Sequence, residues 1–437
     1  MPSPQTSLPR RLLKPLLFLI VLILGVLYGG WGYHFHKFPF DGTFEKLASA
    51  DIRHTTNRFA PRSIHKRSTQ KSEAKSLEEL GYAEGVSKAA TETGVLTHVE
   101  EIAQPGVNLY ITGNAEEAIL TDMDGKTLHK WSYDLAAELE SDDAMTLKKR
   151  FRKTFLYPDG SLAVVYGGHA WIAKFDKDSK LLWKRKGGFH HDLEVQPDGS
   201  IYAIGSVSHK LDRINSKQPI IEDFIVHLSA DGEELKRLSV IEAFENSVYK
   251  PMLQQMRAYG DLLHTNTIEV LQKPGPGVPS SWKTGQVLIS IREMDTIALV
   301  DMEQKKVVWA LTGFWNGQHQ PTFLPDGNML IFDNYGTGYS RVFEFQPTTQ
   351  EIVWSFDGNE RNNFFSESCG SCQRLLNGNT LITESDSGRA FEITPEGYEA
   401  WRFVNPNTAG ENDELIATLF EVVRYSEEYV ANWLPKQ

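Results

Sequence analysis

Beyond about residue 106 the chain is written in short runs in which apolar and polar residues alternate, separated by Pro-Asp-Gly, Asn-Gly or acidic turns. Alternation with period two marks half-buried strands, and such turns set hairpins. The runs recur in a fixed order. Phe155-Leu-Tyr-Pro-Asp-Gly-Ser-Leu-Ala-Val-Val-Tyr166 leads to Trp171-Ile-Ala-Lys-Phe-Asp176 and Leu181-Leu-Trp183. Phe323-Leu-Pro-Asp-Gly-Asn-Met-Leu-Ile-Phe332 leads to Arg341-Val-Phe-Glu-Phe345 and Ile352-Val-Trp354. Leu375-Leu-Asn-Gly-Asn-Thr-Leu-Ile382 leads to Arg389-Ala-Phe-Glu-Ile393 and Glu399-Ala-Trp401. Weaker copies occupy roughly 106–135, 191–240 and 264–312. Four strands per unit with a repeated aromatic, in six copies, predict an all-β chain folded as a six-bladed β-propeller. A parallel β-helix would have shorter coils and no repeated tryptophan. The tail Glu414–Tyr425 alternates like one more strand, placed to close the ring against the first unit and cover an edge.

The pattern before residue 106 is different. Leu16–Tyr33 is an uncharged apolar run of about 18 residues, near the lower limit for crossing a bilayer. Arg10, Arg11 and Lys14 precede it, so residues 1–14 are expected in the cytoplasm and 15–33 as a transmembrane anchor. A cleaved signal peptide is the rival, but the apolar stretch is long and no Ala-x-Ala site follows. Residues 34–105 read as a connector, with helical spacing and a serine cap in Ser72–Leu80. Residues 106–437 form the propeller domain, expected on the periplasmic side of the inner membrane.

Composition narrows the partners. The net charge of −12 leaves no basic face for nucleic acid, and with residues 1–70 basic the body is more acidic still. Two cysteines, Cys369 and Cys372, exclude a disulfide framework, and a local disulfide between them is expected.

The candidate chemistry lies in one slot of the repeat. His191 stands eight residues before Gly199, and His319 eight before Gly327. His319 is 35 residues before Trp354, and His264 is 45 before Trp309; an insertion of about ten residues at 272–283 accounts for the difference. Around the ring the slot holds Arg152, His191, His264, His319 and Gly370, and equivalent positions in a repeat converge. Arg292 ends the strand after His264, and Arg341 and Arg389 begin equivalent third strands. Three chemistries fit: a three-histidine metal site, disfavoured by arginine; a histidine nucleophile with arginine holding an anion; or satisfied structural histidines.

Phe189-His-His-Asp-Leu193, Leu263-His-Thr-Asn-Thr-Ile268, Leu288-Ile-Ser-Ile-Arg292 and Gln318–Asn334, with Ser340–Phe345 and Gln373–Ile382, resemble the bacterial arylsulfate sulfotransferase family over roughly 106–405. The resemblance implies sulfuryl transfer from a phenolic sulfate to a phenolic acceptor through a sulfated histidine, with neither cofactor nor metal. Carried over by motif, His319 is the nucleophile, and His264 and Arg292 neutralise the sulfate oxygens. His191 or His190 contributes from the preceding blade. Asn266, Arg341 and Arg389 are further substrate contacts. The alternatives are a non-catalytic membrane-anchored propeller that binds protein or polysaccharide, and a quinoprotein-like dehydrogenase.

Overall fold

The computed structural model describes residues 84–139, 148–168, 170–336 and 338–435. The expected anchor at 15–33 and the helical spacing at 72–80 lie outside them. Among the described residues no helix is long and apolar enough to cross a membrane.

The described chain is all-β, with few short helices such as the six-residue Val240–Glu245. Its strands form antiparallel units of four. One unit takes Val107–Thr112, Glu117–Thr121 and Thr127–Ser132 together with the C-terminal strand Leu419–Tyr425. The next two share a 15-residue strand, Leu181–Val195, which pairs with Ala170–Phe175 at one end and Ile201–Leu211 at the other. This continuity corrects the reading of separate Trp183 and His191 strands. The chain bends there because Gly188 sits at φ +66°, and a Cβ on it would meet the carbonyl of Ser206 at 2.0 Å. Further units are Thr265–Val270 with Val287–Ile291, Thr296–Asp301 and Lys306–Thr312, and His319–Phe323 with Met329–Asp333, Arg341–Phe345 and Ile352–Asp357. The last runs from Ser371–Arg374 to Glu399–Val404.

The innermost strands begin at 148, 181, 265, 319, 371 and 419; each touches the next, and 419–425 touches the first, so the described inner strands close a ring. A separate apolar cluster fills the space between each neighbouring pair of units. Ala163, Val165 and Ile172 meet Phe189, Leu193 and Val226 in one; Leu288, Leu299 and Trp309 meet Trp315, Ile331 and Phe343 in another. The alternation seen in sequence is therefore two-faced burial between stacked sheets. The repeated tryptophans tie these layers. Trp131 Nε1 donates to Gly160 O, Trp183 to Ala230 O and Trp354 to Pro395 O, each at 3.0 Å, and Trp401 to Met123 O at 2.8 Å. In every case the acceptor is a turn of the following unit.

The tail strand 419–425 pairs along 107–112, closing the ring as its alternation suggested. The connector assignment needs correction. Gly85–Lys88 pairs with Leu415–Ala417, and Gly94–His98 pairs with the outer strand 399–404, so the sheets begin before residue 106. Without that added strand the 399–404 edge would present open backbone groups.

Where inner strands meet at the axis, their N–H groups have no strand partner, and side chains supply acceptors. Asp192 accepts from Ile268 N (3.0 Å), Glu194 from Val270 N, Glu269 from Phe323 N (3.0 Å), Gln320 from Cys372 N (3.0 Å) and Gln373 from Arg424 N (2.8 Å). Burial pushes Glu194 up to about 7, with Asp192 adding to the rise, and carries Glu269 well above the usual carboxylate range. A raised carboxyl favours the folded state most below its ordinary value of 4.5 and loses that contribution as pH climbs through about 7. Glu194→Gln keeps the acceptor and removes the charge. Its unfolding midpoint is expected to fall less between pH 5 and pH 8 than the wild type's, by on the order of 2 kcal/mol in stability. An unchanged pH dependence in thermal melts would show that Glu194 is not charged by this rise.

Candidate active site

At one end of the ring the inner strands carry local irregularities. His191, His264 and Gln320 have φ of +59°, +51° and +43°, and the pairing register shifts at His191 and Gln320 and just after His264, between Thr265 and Thr267. Left-handed residues at a strand end re-aim neighbouring side chains, here toward the axis. A small cavity of about 30 Å³ results, lined by residues that include Arg152, His191, Asn266, His319, Cys369 and Gly370. The slot positions of four units thus face one space. Gly370 leaves its position open because the Phe332 ring lies where a Cβ would go, at 2.4 Å.

His319 is buried at the start of its strand. Asn334 donates through Nδ2 to Ser366 O (2.8 Å) and Cys369 O (2.9 Å), which forces its carbonyl oxygen toward His319 Nδ1 at 2.7 Å. An amide oxygen only accepts, so Nδ1 carries the proton. Nε2 then holds a lone pair, buried and without a hydrogen-bond partner. Burial, followed by the Arg292 charge, pulls the ring down to about 3, so His319 is neutral throughout the physiological range. A neutral imidazole with one oriented lone pair is a nucleophile.

His264 donates its backbone N–H to Asp261 Oδ1 (3.0 Å) and sets Nδ1 2.6 Å from Asp261 Oδ2. Its ring lies edge-on to that of His191, with centroids 4.7 Å apart. His191 faces the cavity, whereas His190 lies behind it, its Nδ1 2.6 Å from His191 Nδ1 and its Nε2 3.4 Å from Asp223. Arg292 is tied to this group through its backbone N–H, which donates to His264 O at 3.2 Å. Its guanidinium donates to Glu293 Oε1 at 2.8 Å, and its Nε is buried without a partner.

Other expected contacts are engaged elsewhere. Asn266 lines the cavity, but its amide donates to Gln318 O at 2.9 Å and so braces the His319 strand. Arg341 and Arg389 do not line the cavity. Each is paired with an acid at the end of the preceding strand, Asp333 and Glu384, and each covers a phenylalanine ring. The expected disulfide is absent: both cysteines are buried thiols with no bridge between them. Cys369 belongs to the apolar cluster around Trp131 and Phe151, while Cys372 packs with Phe332 and Ile382 in another, so the two thiols are committed to different layers. Among the described residues no group of three or more His, Cys, Asp or Glu is arranged to hold a metal ion.

Several participants went unassigned in the sequence. Asn334 stands inside a quoted motif, Asp261 lies three residues before His264, and Arg152 occupies the slot without a role. Lys153, Asp192 and Glu421 form a buried ion-pair group in the same cavity, with Lys153 Nζ 3.3 Å from Asp192 and 2.6 Å from Glu421. Nothing in the alternating pattern separates them from ordinary inner-strand polar residues.

A neutral, oriented histidine and the Arg152 guanidinium thus line one small cavity, with the Arg292 charge acting on the same ring. The chain belongs to the arylsulfotransferase (ASST) family, whose model matches residues 156–406. No curated protein matches the sequence. Among solved structures, the chain is 11% identical to a protein of unknown function from Bacteroides caccae, over 73% of this chain and 98% of that one, with a TM-score of 0.46. It is 8% identical to the Cps50 (Swd1) β-propeller domain from Myceliophteria thermophila, over 76% and 98%, with a TM-score of 0.43. Likenesses this remote carry no argument for fold or activity.

The tautomer is directly measurable. In 15N-histidine spectra His319 is expected to remain neutral, with Nδ1 protonated, from pH 8 down to pH 5. A change in its two nitrogen shifts near pH 6.5 would refute the assignment. Asn334→Ala should release the constraint and mix the tautomers.

Proposed function

We propose that this protein is a six-bladed β-propeller enzyme that moves a sulfuryl group from an aryl sulfate ester to a phenol through His319, without a nucleotide sulfate donor. The observation that carries the reading is the His319 Nε2 lone pair, fixed by Asn334 and buried without a partner on a ring that lines the same cavity as Arg152. The closed ring of inner strands supports the propeller.

In the first half-reaction Nε2 attacks sulfur, the sulfur–oxygen bond to the aryl group breaks, and the departing phenolate takes a proton from His264. In the second, an acceptor phenol gives its proton back to His264, its oxygen attacks sulfur, and the bond from sulfur to Nε2 breaks. Each cycle returns both histidines to their starting states. Asp261 holds the His264 ring in orientation and balances the charge of its protonated form. Arg292 lies beside that group and stabilises charge on the sulfuryl oxygens, and His191 walls the site next to His264. Charge-aimed donors of this kind contribute about 10²–10³ each in rate.

His319→Ala should abolish both aryl sulfate cleavage and transfer, and the wild type treated with 4-nitrophenyl sulfate alone should gain one SO₃ on the peptide holding His319. Near-normal transfer by the variant would eliminate the covalent route. Arg292→Lys should fold yet lose most activity, because a point charge cannot reproduce a forked contact to two oxygens.

The reading extends to location. Residues 15–33 anchor the chain in the inner membrane with the propeller in the periplasm, supported by the apolar run and the basic residues before it. An alkaline phosphatase fusion after residue 50 should be active, and an inactive, stably made fusion would reverse the topology.

A further inference from the structure

Lys153, Arg292, Arg152 and the His264 imidazole stand in or beside the cavity region, and all but Arg152 have acidic companions. Lys153 is neutralised by Asp192 and Glu421. Arg292 is held by Glu293. His264 has Asp261. Arg152 differs. It is 8% exposed and lines the same cavity as His319, yet among the described residues its guanidinium meets only the Cys369 sulfur at 3.5 Å and the face of Phe420 at 4.9 Å. Its Nε is buried without a hydrogen-bond partner.

A thiol can counter a guanidinium only as thiolate. Burial pushes the Cys369 thiol up despite Arg152 beside it, so sulfur stays protonated and is a weak acceptor. The other acids of the cavity are not paired with it: Glu421 Oε1 accepts from Lys153 at 2.6 Å and Gln320 at 3.3 Å while its Oε2 is buried without a partner, and Asp192 accepts from Ile268 N at 3.0 Å. A buried guanidinium with no acid paired to it directly keeps donors available to an anion that enters the cavity.

We propose that Arg152 binds the anionic group directly, as a second guanidinium on the wall contributed by the 148–156 strand, and that it contacts the sulfuryl oxygens while Arg292 acts from beside His264. This deepens the sulfuryl-transfer reading and rests on it for the ligand's identity. Two planar forks from separate units can satisfy three oxygens at once, which one arginine cannot. Arg152 also helps to keep His319 unprotonated, since its charge acts on that ring. The bound anion offsets this charge when sulfur meets Nε2.

The test uses the full chain in detergent and radiolabelled inorganic sulfate in equilibrium dialysis, with Arg152→Met and Arg152→Lys beside the wild type. Saturable binding by the wild type is expected, with affinity at least about tenfold lower in Arg152→Met and intermediate in Arg152→Lys. The Arg152→Met protein should melt at or above the wild-type temperature, because a buried guanidinium without a direct ion-pair partner has been replaced by an apolar chain. Wild-type affinity in Arg152→Met overturns the proposal, as does a lowered melting temperature with sulfate binding kept, which would mark a structural arginine. Absence of saturable sulfate binding by the wild type also overturns it. Should the methionine variant fail to fold, Arg152→Lys decides: unchanged affinity refutes the forked contact. Turnover of 4-nitrophenyl sulfate is measured separately. A wild type that binds sulfate through Arg152 but never cleaves the ester leaves the anion site standing and removes the reaction.

Discussion

The architecture depends on how the inner strands satisfy their backbone where they meet. Each has a paired side, facing its own unit, and an open side facing the axis. An unpaired N–H in a dry interior costs about 1–3 kcal/mol, and several are clustered there. The chain answers with polar side chains that reach from one inner strand to the next: Asp192, Glu194, Thr267, Glu269, Gln320 and Gln373 each accept a neighbouring N–H. These bonds join units that apolar clusters alone would leave free to slide. They also place carboxyls on the axis, which is why Glu194 and Glu269 are held toward the neutral form.

The same arrangement supplies the site. At the end marked by His191, His264 and Gln320, where the stitching borders the cavity, backbone turns left-handed and side chains enter the axial space. The acids along the ring accept N–H groups, and Asp192 and Glu421, which line the cavity, are paired with Lys153, so none of these acids is paired with the cavity guanidinium of Arg152. Stability and electrostatics therefore share one set of residues. A substitution among the stitching acids changes both, and its effect on activity cannot be read without its effect on folding.

The alternation and turn residues carried most of the fold. Strand positions from Phe155 to Val404 follow the period-two pattern, and the tail strand was legible because it alternates without a partner nearby in sequence. The shared strand 181–195 was not. Its bend rests on Gly187-Gly188, which reads equally well as a loop between two strands. Residues 85–98 were missed because edge strands are short and partly exposed, with little alternation to detect. For the site, counting back from the Pro-Asp-Gly turns located Arg152, His191, His319 and Gly370, since equivalent positions in a repeat share a radius. Counting could not say what each is bonded to. Arg341 and Arg389 share a register as Arg152 and His319 do, but theirs ends in ion pairs with Asp333 and Glu384. The cysteine spacing suggested a bridge because sequence proximity says nothing about which apolar layer each thiol enters.

The contrast between the two principal histidines is the last step. Both present Nδ1 to an oxygen, but the oxygen of Asn334 is neutral and that of Asp261 is charged. An amide fixes the tautomer without favouring the imidazolium, so burial and cationic neighbours can keep His319 unprotonated. A carboxylate at the same place would attract a second proton to Nε2 and hide the lone pair. At His264 that attraction is useful, because a group that lends and recovers a proton must tolerate its charged form. In the proposed reaction the same ring serves as nucleophile in one unit and as proton carrier in the next, and the difference rests on a single amide nitrogen in place of a carboxylate oxygen at position 334.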